Sequence, residues 1–167
     1  EEKGYCFSAA EVLEQITPRT RLLIINTPAN PTGGVVPRSE MDRLVEGLEA
    51  HPEVAILCDE IYSRLLYDGE EHVSILQYES LADRAICLDG WSKTYAMTGW
   101  RLGWGVWPET LVGEAERLQI NCVSCANAAS QIAGIEALRG PQDAVDALCA
   151  AFDERRKIIG EELNSVP

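Results

Sequence analysis

Apolar residues recur along this chain in two alternating patterns. Val12, Leu13 and Ile16 follow Ser8-Ala9-Ala10-Glu11, which has the form of a capping box, so the spacing predicts a helix that Pro18 ends. Leu22 to Ile25 is a short unbroken apolar run, the mark of a strand covered on both faces. A loop rich in Pro, Asn and Gly spans Asn26 to Pro37. Ser39 is then expected to cap a helix whose apolar face is Met41, Leu44, Val45 and Leu48. Val54 to Cys58, Ala85 to Leu88 and Leu102 to Trp107 read as three more strands. Helices follow from Pro108 to about Ile120 and from Ala126 to Leu138. Gly140-Pro141 breaks the pattern, and a long charged helix runs from Gln142 toward Leu163.

Strands that alternate with helices predict an α/β fold: three layers, a mainly parallel sheet and flanking helices. The connection from Leu88 to Leu102 is short for a helical crossover, which predicts that the fourth strand runs antiparallel to the third. No repeat and no low-complexity segment interrupts the pattern.

Composition narrows the class. The 167 residues suit one domain or part of one, and 46% hydrophobic residues suffice for a core. A net charge of −13 argues against nucleic acid or an anionic membrane as partner. No apolar stretch approaches the ~20 residues of a membrane span. Cys58 and Cys87 lie in strand-like runs and read as small buried hydrophobes. Cys122 and Cys125 form a C-x-x-C without a second ligand pair, and read as two small residues at a helix start. Six cysteines without a disulfide framework suggest reduced thiols and a cytoplasmic protein. No metal site is expected. His51 and His72 are isolated in sequence and show no partner there. Glu70-Glu71 reads as a solvated loop, and Asp153 to Lys157 as an exposed helix face with i,i+4 pairs.

In an open α/β sheet, ligands bind beyond the carboxyl ends of the strands. Asn30 follows the first strand, Asp59 and Tyr62 the second, and Ser92 and Lys93 the third. Arg101 stands at the mouth of the fourth, on the same edge if that strand is antiparallel. Such a set suits a phosphorylated pyridine aldehyde. Lys93 can bond the aldehyde carbon, Asp59 can pair with the ring nitrogen, and Tyr62 and Asn30 can hold the ring hydroxyl. Arg101 can grip the phosphate at two points. Of the four tryptophans near the fourth strand, Trp91, Trp100, Trp104 and Trp107, most read as packing residues, and Tyr95 stands close enough in sequence to reach the pocket.

These motifs resemble the class I/II aminotransferases of fold type I, which depend on pyridoxal 5'-phosphate. Asn30-Pro31-Thr32-Gly33 is similar to that family's Asn-Pro-x-Gly, and Asp59-Glu60-Ile61-Tyr62 to its Asp-Glu-x-Tyr. Ser92-Lys93 through Trp100-Arg101-Leu102-Gly103 is similar to its lysine signature. The resemblance implies that Lys93 is the Schiff-base lysine and the acid/base that moves the proton, and that Asn30 also touches the substrate carboxylate. It implies amino acid and 2-oxo acid substrates and a homodimer. It departs at Gly90, where many members carry a phosphate-binding serine; either Ser92 substitutes, or the phosphate relies more on Arg101 and on parts of the family's chain outside residues 1–167.

Members of that family are well over twice this length. Residues 1–167 are therefore expected to be the central part of the cofactor-binding large domain, without an N-terminal segment and a C-terminal small domain, and to be inactive and self-associating alone. Two other outcomes use the same residues: β-elimination on the same cofactor, of the C–S lyase type, or an aminotransferase-like sensor domain of a transcription regulator.

Overall fold

The computed structural model describes residues 5–166. Four strands form one sheet in the order β1-β2-β3-β4: β1 is Leu22–Asn26, β2 Ala55–Asp59, β3 Ala85–Gly90 and β4 Gly103–Val106. The pairs β1–β2 and β2–β3 are parallel, and β3–β4 is antiparallel, as the short connection predicts. Asn26 stands opposite Asp59, Asp59 opposite Leu88, and Gly90 opposite Gly103. The carboxyl ends of three strands and the start of the fourth thus share one edge. The strands are one or two residues offset from the apolar runs. Both β2 and β3 carry their ladders past the last apolar residue, through Asp59 and Asp89.

Among the described residues five α-helices accompany the sheet: α1 Ala9–Glu14, α2 Arg38–Leu48, α3 Glu109–Val123, α4 Ala128–Arg139 and α5 Asp143–Asn164. Met41, Leu44, Val45 and Leu48 of α2 are buried, as their spacing predicts. They pack with Ile25, Ile56, Cys58, Ala85 and Cys87 of the sheet and with Ala9, Val73, Ile75 and Leu81. This is the main core.

The caps differ from expectation. Ser8 is the N-cap of α1, but its side chain makes no cap hydrogen bond. Glu40 of α2 does that work from outside, accepting the Ala9 N–H at 2.7 Å. The N-cap of α2 is Pro37 rather than Ser39, because its carbonyl accepts the Met41 N–H at 3.1 Å and starts the helix two residues early. At the other end Arg84 donates to the carbonyls of Leu48 and Val54, placing a cation where the helix dipole favours one.

The helix α3 extends to Val123, so Cys122 lies in its last turn and Cys125 just beyond Ser124. The C-x-x-C therefore marks a helix end, not a helix start. Among the described residues no cysteine is in a disulfide; Cys58 and Cys87 are buried, Cys122 and Cys125 exposed. No helix of the described residues is long and apolar enough to cross a membrane, and no His/Cys/Asp/Glu cluster among them could hold a metal.

Candidate functional site

Three segments leave the ligand edge of the sheet, and each carries part of the site. The segment after β1 contains cis peptides at Thr27-Pro28 and Asn30-Pro31 and turns at Gly33, whose φ of 74° suits glycine. Asn26 orders it: its Oδ1 accepts the Asn30 N–H at 2.8 Å, and its Nδ2 donates to the Asp59 carbonyl at 3.2 Å. Buried Thr27 adds a clamp, its hydroxyl accepting the Val36 N–H at 3.2 Å. Asn30 is thereby delivered to Tyr62, and its Nδ2 donates to the tyrosine oxygen at 3.2 Å. Asn30 and Tyr62, both expected at the ring hydroxyl, are thus brought together.

After β2, Asp59 is half-buried and its Oδ1 accepts the Ile61 N–H at 3.2 Å. The chain turns through Glu60 to Ser63, closed by the Ser63 N–H on the Glu60 carbonyl at 2.8 Å. This turn presents Tyr62. The Lys93 ammonium lies 5.5 Å from the centre of the Tyr62 ring, within cation–π range. Lysine, tyrosine and asparagine are thus joined across all three segments.

After β3, the chain folds into a tight turn in which the Tyr95 and Met97 N–H groups both reach the Trp91 carbonyl. Ser92 and Lys93 project from it into a cleft of about 1410 Å³. The cleft is also lined by Ala29, Thr32 and Tyr62, and by one stripe of α5 that includes Leu148, Phe152 and Ile159. Arg101 closes the segment in the left-handed conformation, φ 54° and ψ 46°, and one of its N–H groups donates to the Thr98 carbonyl at 2.8 Å. It sits at the same sheet edge as Lys93 but is exposed and outside the lining of that cleft. Asn30 and Asp59 also stand at the edge rather than in the lining.

Tyr95 does not reach the cleft. Its hydroxyl donates to Gln142 Oε1 at 3.3 Å, at the start of α5. Trp91 is a packing residue, its indole N–H on the Gly134 carbonyl at 3.0 Å, whereas Trp100 and Trp104 are exposed. His72 has a partner that sequence spacing did not reveal: its Nε2 lies 2.8 Å from Glu60 Oε2. Burial pushes the Glu60 carboxyl up, but hydrogen bonds from His72, the Ile75 backbone and Ser74 outweigh it and hold the group below its ordinary value.

Asp89 was missed as well. It lies inside the site edge, its Oδ1 accepting the Gly90 N–H at 2.6 Å and its Oδ2 the Ser63 hydroxyl at 3.3 Å. Burial raises its carboxyl above the ordinary value. The signal was available: an acid that continues an apolar strand run is partly desolvated. At Gly90 a side chain would not fit, since an added Cβ would come 2.9 Å from the Gly103 Cα. Glycine there is set by the close approach of β3 to β4.

The chemical set is an amine, a carboxylate at a strand end, an amide–phenol pair and a guanidinium, all on one edge. It suits a phosphorylated pyridine aldehyde in kind, and only Tyr62, Ser92 and Lys93 of the set line the cleft itself. The sheet order, with three parallel strands and one antiparallel strand bearing the site at one edge, defines an α/β protein with a mainly parallel sheet. The family described as aminotransferase class I and II matches residues 2–166, and the chain belongs to that family. It is 37% identical to the aspartate aminotransferase of Rhizobium meliloti over 98% of this chain and 40% of that one. It is 39% identical to the arginine–pyruvate transaminase of Pseudomonas aeruginosa over 99% of this chain and 42% of that one. The crystal structure of the Rhizobium meliloti enzyme superposes with a TM-score of 0.94 at 36% identity, covering 99% of this chain and 42% of that chain. The aromatic aminotransferase of Pyrococcus horikoshii gives 0.92 at 32% identity, covering 98% and 44%. The chain therefore spans about two fifths of the length of the curated relatives it matches.

Proposed function

We propose that the protein containing this chain transfers an amino group between an amino acid and a 2-oxo acid with pyridoxal 5'-phosphate, and that residues 1–167 are the central part of its cofactor-binding large domain. The observation that carries this is the join across the sheet edge: Lys93 over the Tyr62 ring, with Asn30 bonded to the Tyr62 hydroxyl. The bound cofactor supplies an aldehyde that condenses with amines and a pyridinium ring that draws electrons from the bond being broken.

The residues divide the work. Lys93 Nζ is the covalent tether and then the base that takes and returns the proton. Asp59 offers a carboxylate to the ring nitrogen and keeps it protonated. The phenol of Tyr62 and the amide of Asn30 orient the ring by its hydroxyl. Arg101, with four N–H groups beyond the one on Thr98, and the Ser92 hydroxyl would hold the phosphate. Gly90 leaves no side chain for that anion, which places more of its binding on Arg101 and Ser92.

The relatives named here act on aspartate, on arginine with pyruvate, and on aromatic amino acids; what the names share is amino transfer. That supports transamination over β-elimination or ligand sensing in a regulator. A homodimer and a cytoplasmic location belong to the same reading; free cysteines agree with the latter.

Borohydride reduction of the complete gene product loaded with pyridoxal phosphate, followed by peptide mapping, tests the reading. The label should fall on Lys93. Label on Lys3 or Lys157 would refute it.

A further inference from the structure

Glu60 is an ionisable side chain that the proposed chemistry leaves unused, and it is 3% exposed. Burying a carboxylate is costly unless it is paired and hydrogen-bonded, and the pairing seldom returns more stability than an apolar pair of the same shape would. Here the carboxylate is fully engaged. Oε2 meets His72 Nε2 at 2.8 Å, and Oε1 accepts the Ile75 N–H at 2.8 Å. The thiols of Cys58 and Cys87 pack against it and are pushed up, first by burial and then by its charge, Cys87 to about 12. His72 is nearly as deep, its side chain 9% exposed, and its Nδ1 is buried with no hydrogen-bond partner. The carboxylate is therefore the one polar group, among the described residues, that orients the imidazole.

The position of this pair gives it a consequence at the site. Successive side chains leave a strand on opposite sides. Glu60 follows Asp59 at the end of β2, and its N–H continues the ladder to the Leu88 carbonyl at 2.8 Å. Its carbonyl then closes the turn that presents Tyr62. Glu60 thus stands between the two residues that touch the cofactor ring, and it is held from behind.

We propose that the Glu60–His72 pair is a positioning anchor, drawing the end of β2 into the core so that Asp59 and Tyr62 are fixed toward the cofactor ring. The anchor rests on the reading of Asp59 as the ring-nitrogen partner. Segment 72–75 is its other attachment, bedded in the core by Val73 and Ile75. Without the anchor, the turn keeps its backbone hydrogen bonds but loses the buried fastening that sets its angle to the sheet.

The complete gene product is loaded with pyridoxal phosphate carrying 15N in the ring and compared with His72→Leu, His72→Gln and Asp59→Asn. The 15N shift reports whether the ring nitrogen holds its proton, and steady-state kinetics separate kcat from KM. His72→Leu should move the 15N signal toward that of Asp59→Asn and lower kcat roughly 10- to 100-fold with the amino-acid KM nearly unchanged, the size of effect a small misplacement produces. His72→Gln, whose amide N–H can reach the place of Nε2, should restore both. If His72→Leu does not fold, His72→Phe, which keeps a planar ring and removes the bond to Glu60, serves in its place with the same expectation. A leucine variant with wild-type 15N shift and kcat, altered only in melting temperature, would reduce the pair to a structural role and overturn the anchor. An Asp59→Asn protein with an unchanged ring-nitrogen signal would instead remove the reading of Asp59 itself.

Discussion

Two aspartates end adjacent strands at the site edge, and their surroundings assign them different work. Asp59 is half-buried with one oxygen on the Ile61 N–H, which leaves its other oxygen for a ligand. Asp59→Ala should keep part of the cofactor yet lose roughly 10²- to 10³-fold in kcat, since a charge-stabilising group in such a site is worth ~3–4 kcal/mol. Near-normal turnover by steady-state assay would remove its role. Asp89 has both oxygens engaged within the protein, by Gly90 and Ser63. Its folded value is raised by burial, so the ionised form costs stability. That cost is fully present above the raised folded value and disappears as the pH falls toward the unfolded one. Asparagine can accept from Gly90 and donate to the Ser63 oxygen without the charge. Asp89→Asn should therefore raise the melting temperature at pH 7 by roughly 1–3 °C, a small figure because the group is only half buried. The gain should shrink toward zero as the pH approaches 4; a gain that is the same at both pH values would contradict the burial argument.

Among the elements, those that face the core were legible and those that end in solvent or loops were less so. The α2 stripe and the short apolar strands are dictated by burial, and periodicity reports burial directly. The antiparallel β4 followed from loop length alone. The start of α1 was legible at Ser8, but its capping bond was not: Glu40 serves α1 from a different helix, a contact that no local motif encodes. The Glu60–His72 pair was invisible for the same reason. The site's residue types stood out because strand ends collect them, whereas the Tyr95 contact with Gln142 depends on where α5 docks. That docking is itself light. Among the described residues of α5 only Val145 is buried, and the helix is tied down by Arg156, which forks onto Asp68 at 2.7 and 2.8 Å, bonds Asp153 and lies over the Tyr67 ring. Lysine cannot reproduce the fork. Arg156→Lys should leave the sheet amides unchanged and speed hydrogen exchange along the second half of α5. The hydrogen bonds from Arg156 to Asp68, and from Lys157 and Arg156 to Asp153, hold both carboxyls below their ordinary value of 3.8. The tether is therefore complete above that value and is lost as the pH falls through the depressed folded ones. Wild-type α5 should begin to exchange like the variant only in strong acid. Unaltered exchange in Arg156→Lys would show that other contacts hold the helix.

At the scale of the whole molecule, the two sides of the sheet are unlike. One is sealed by α1, α2 and the segment through Leu81. Elsewhere large apolar side chains stand in water: Ile24 of β1 is 65% exposed, Leu118 of α3 64% and Ile132 of α4 70%. The described α3 buries no residue at all. Single exposed apolar residues are ordinary, but this many on neighbouring elements exceed what a monomeric surface usually carries. The strand β1 is also an edge, with one side of its ladder unpaired and Leu22 and Ile24 exposed on it, a surface that invites pairing with another chain. The 167-residue chain in isolation should therefore self-associate, and its sedimentation coefficient should rise with concentration. It should hold pyridoxal phosphate weakly and give no spectral conversion with a panel of amino acids, because it spans about two fifths of the length of its relatives and Asn30, Asp59 and Arg101 lie outside the lining of the cleft that Lys93 enters. Replacing Leu22 and Ile24 with lysine places charge on the open edge and should shift the chain toward monomer. A wild-type chain that sediments as a single monomer at all concentrations and still converts the cofactor with an amino acid would mean that these surfaces are stable in water and that residues 1–167 suffice for the chemistry.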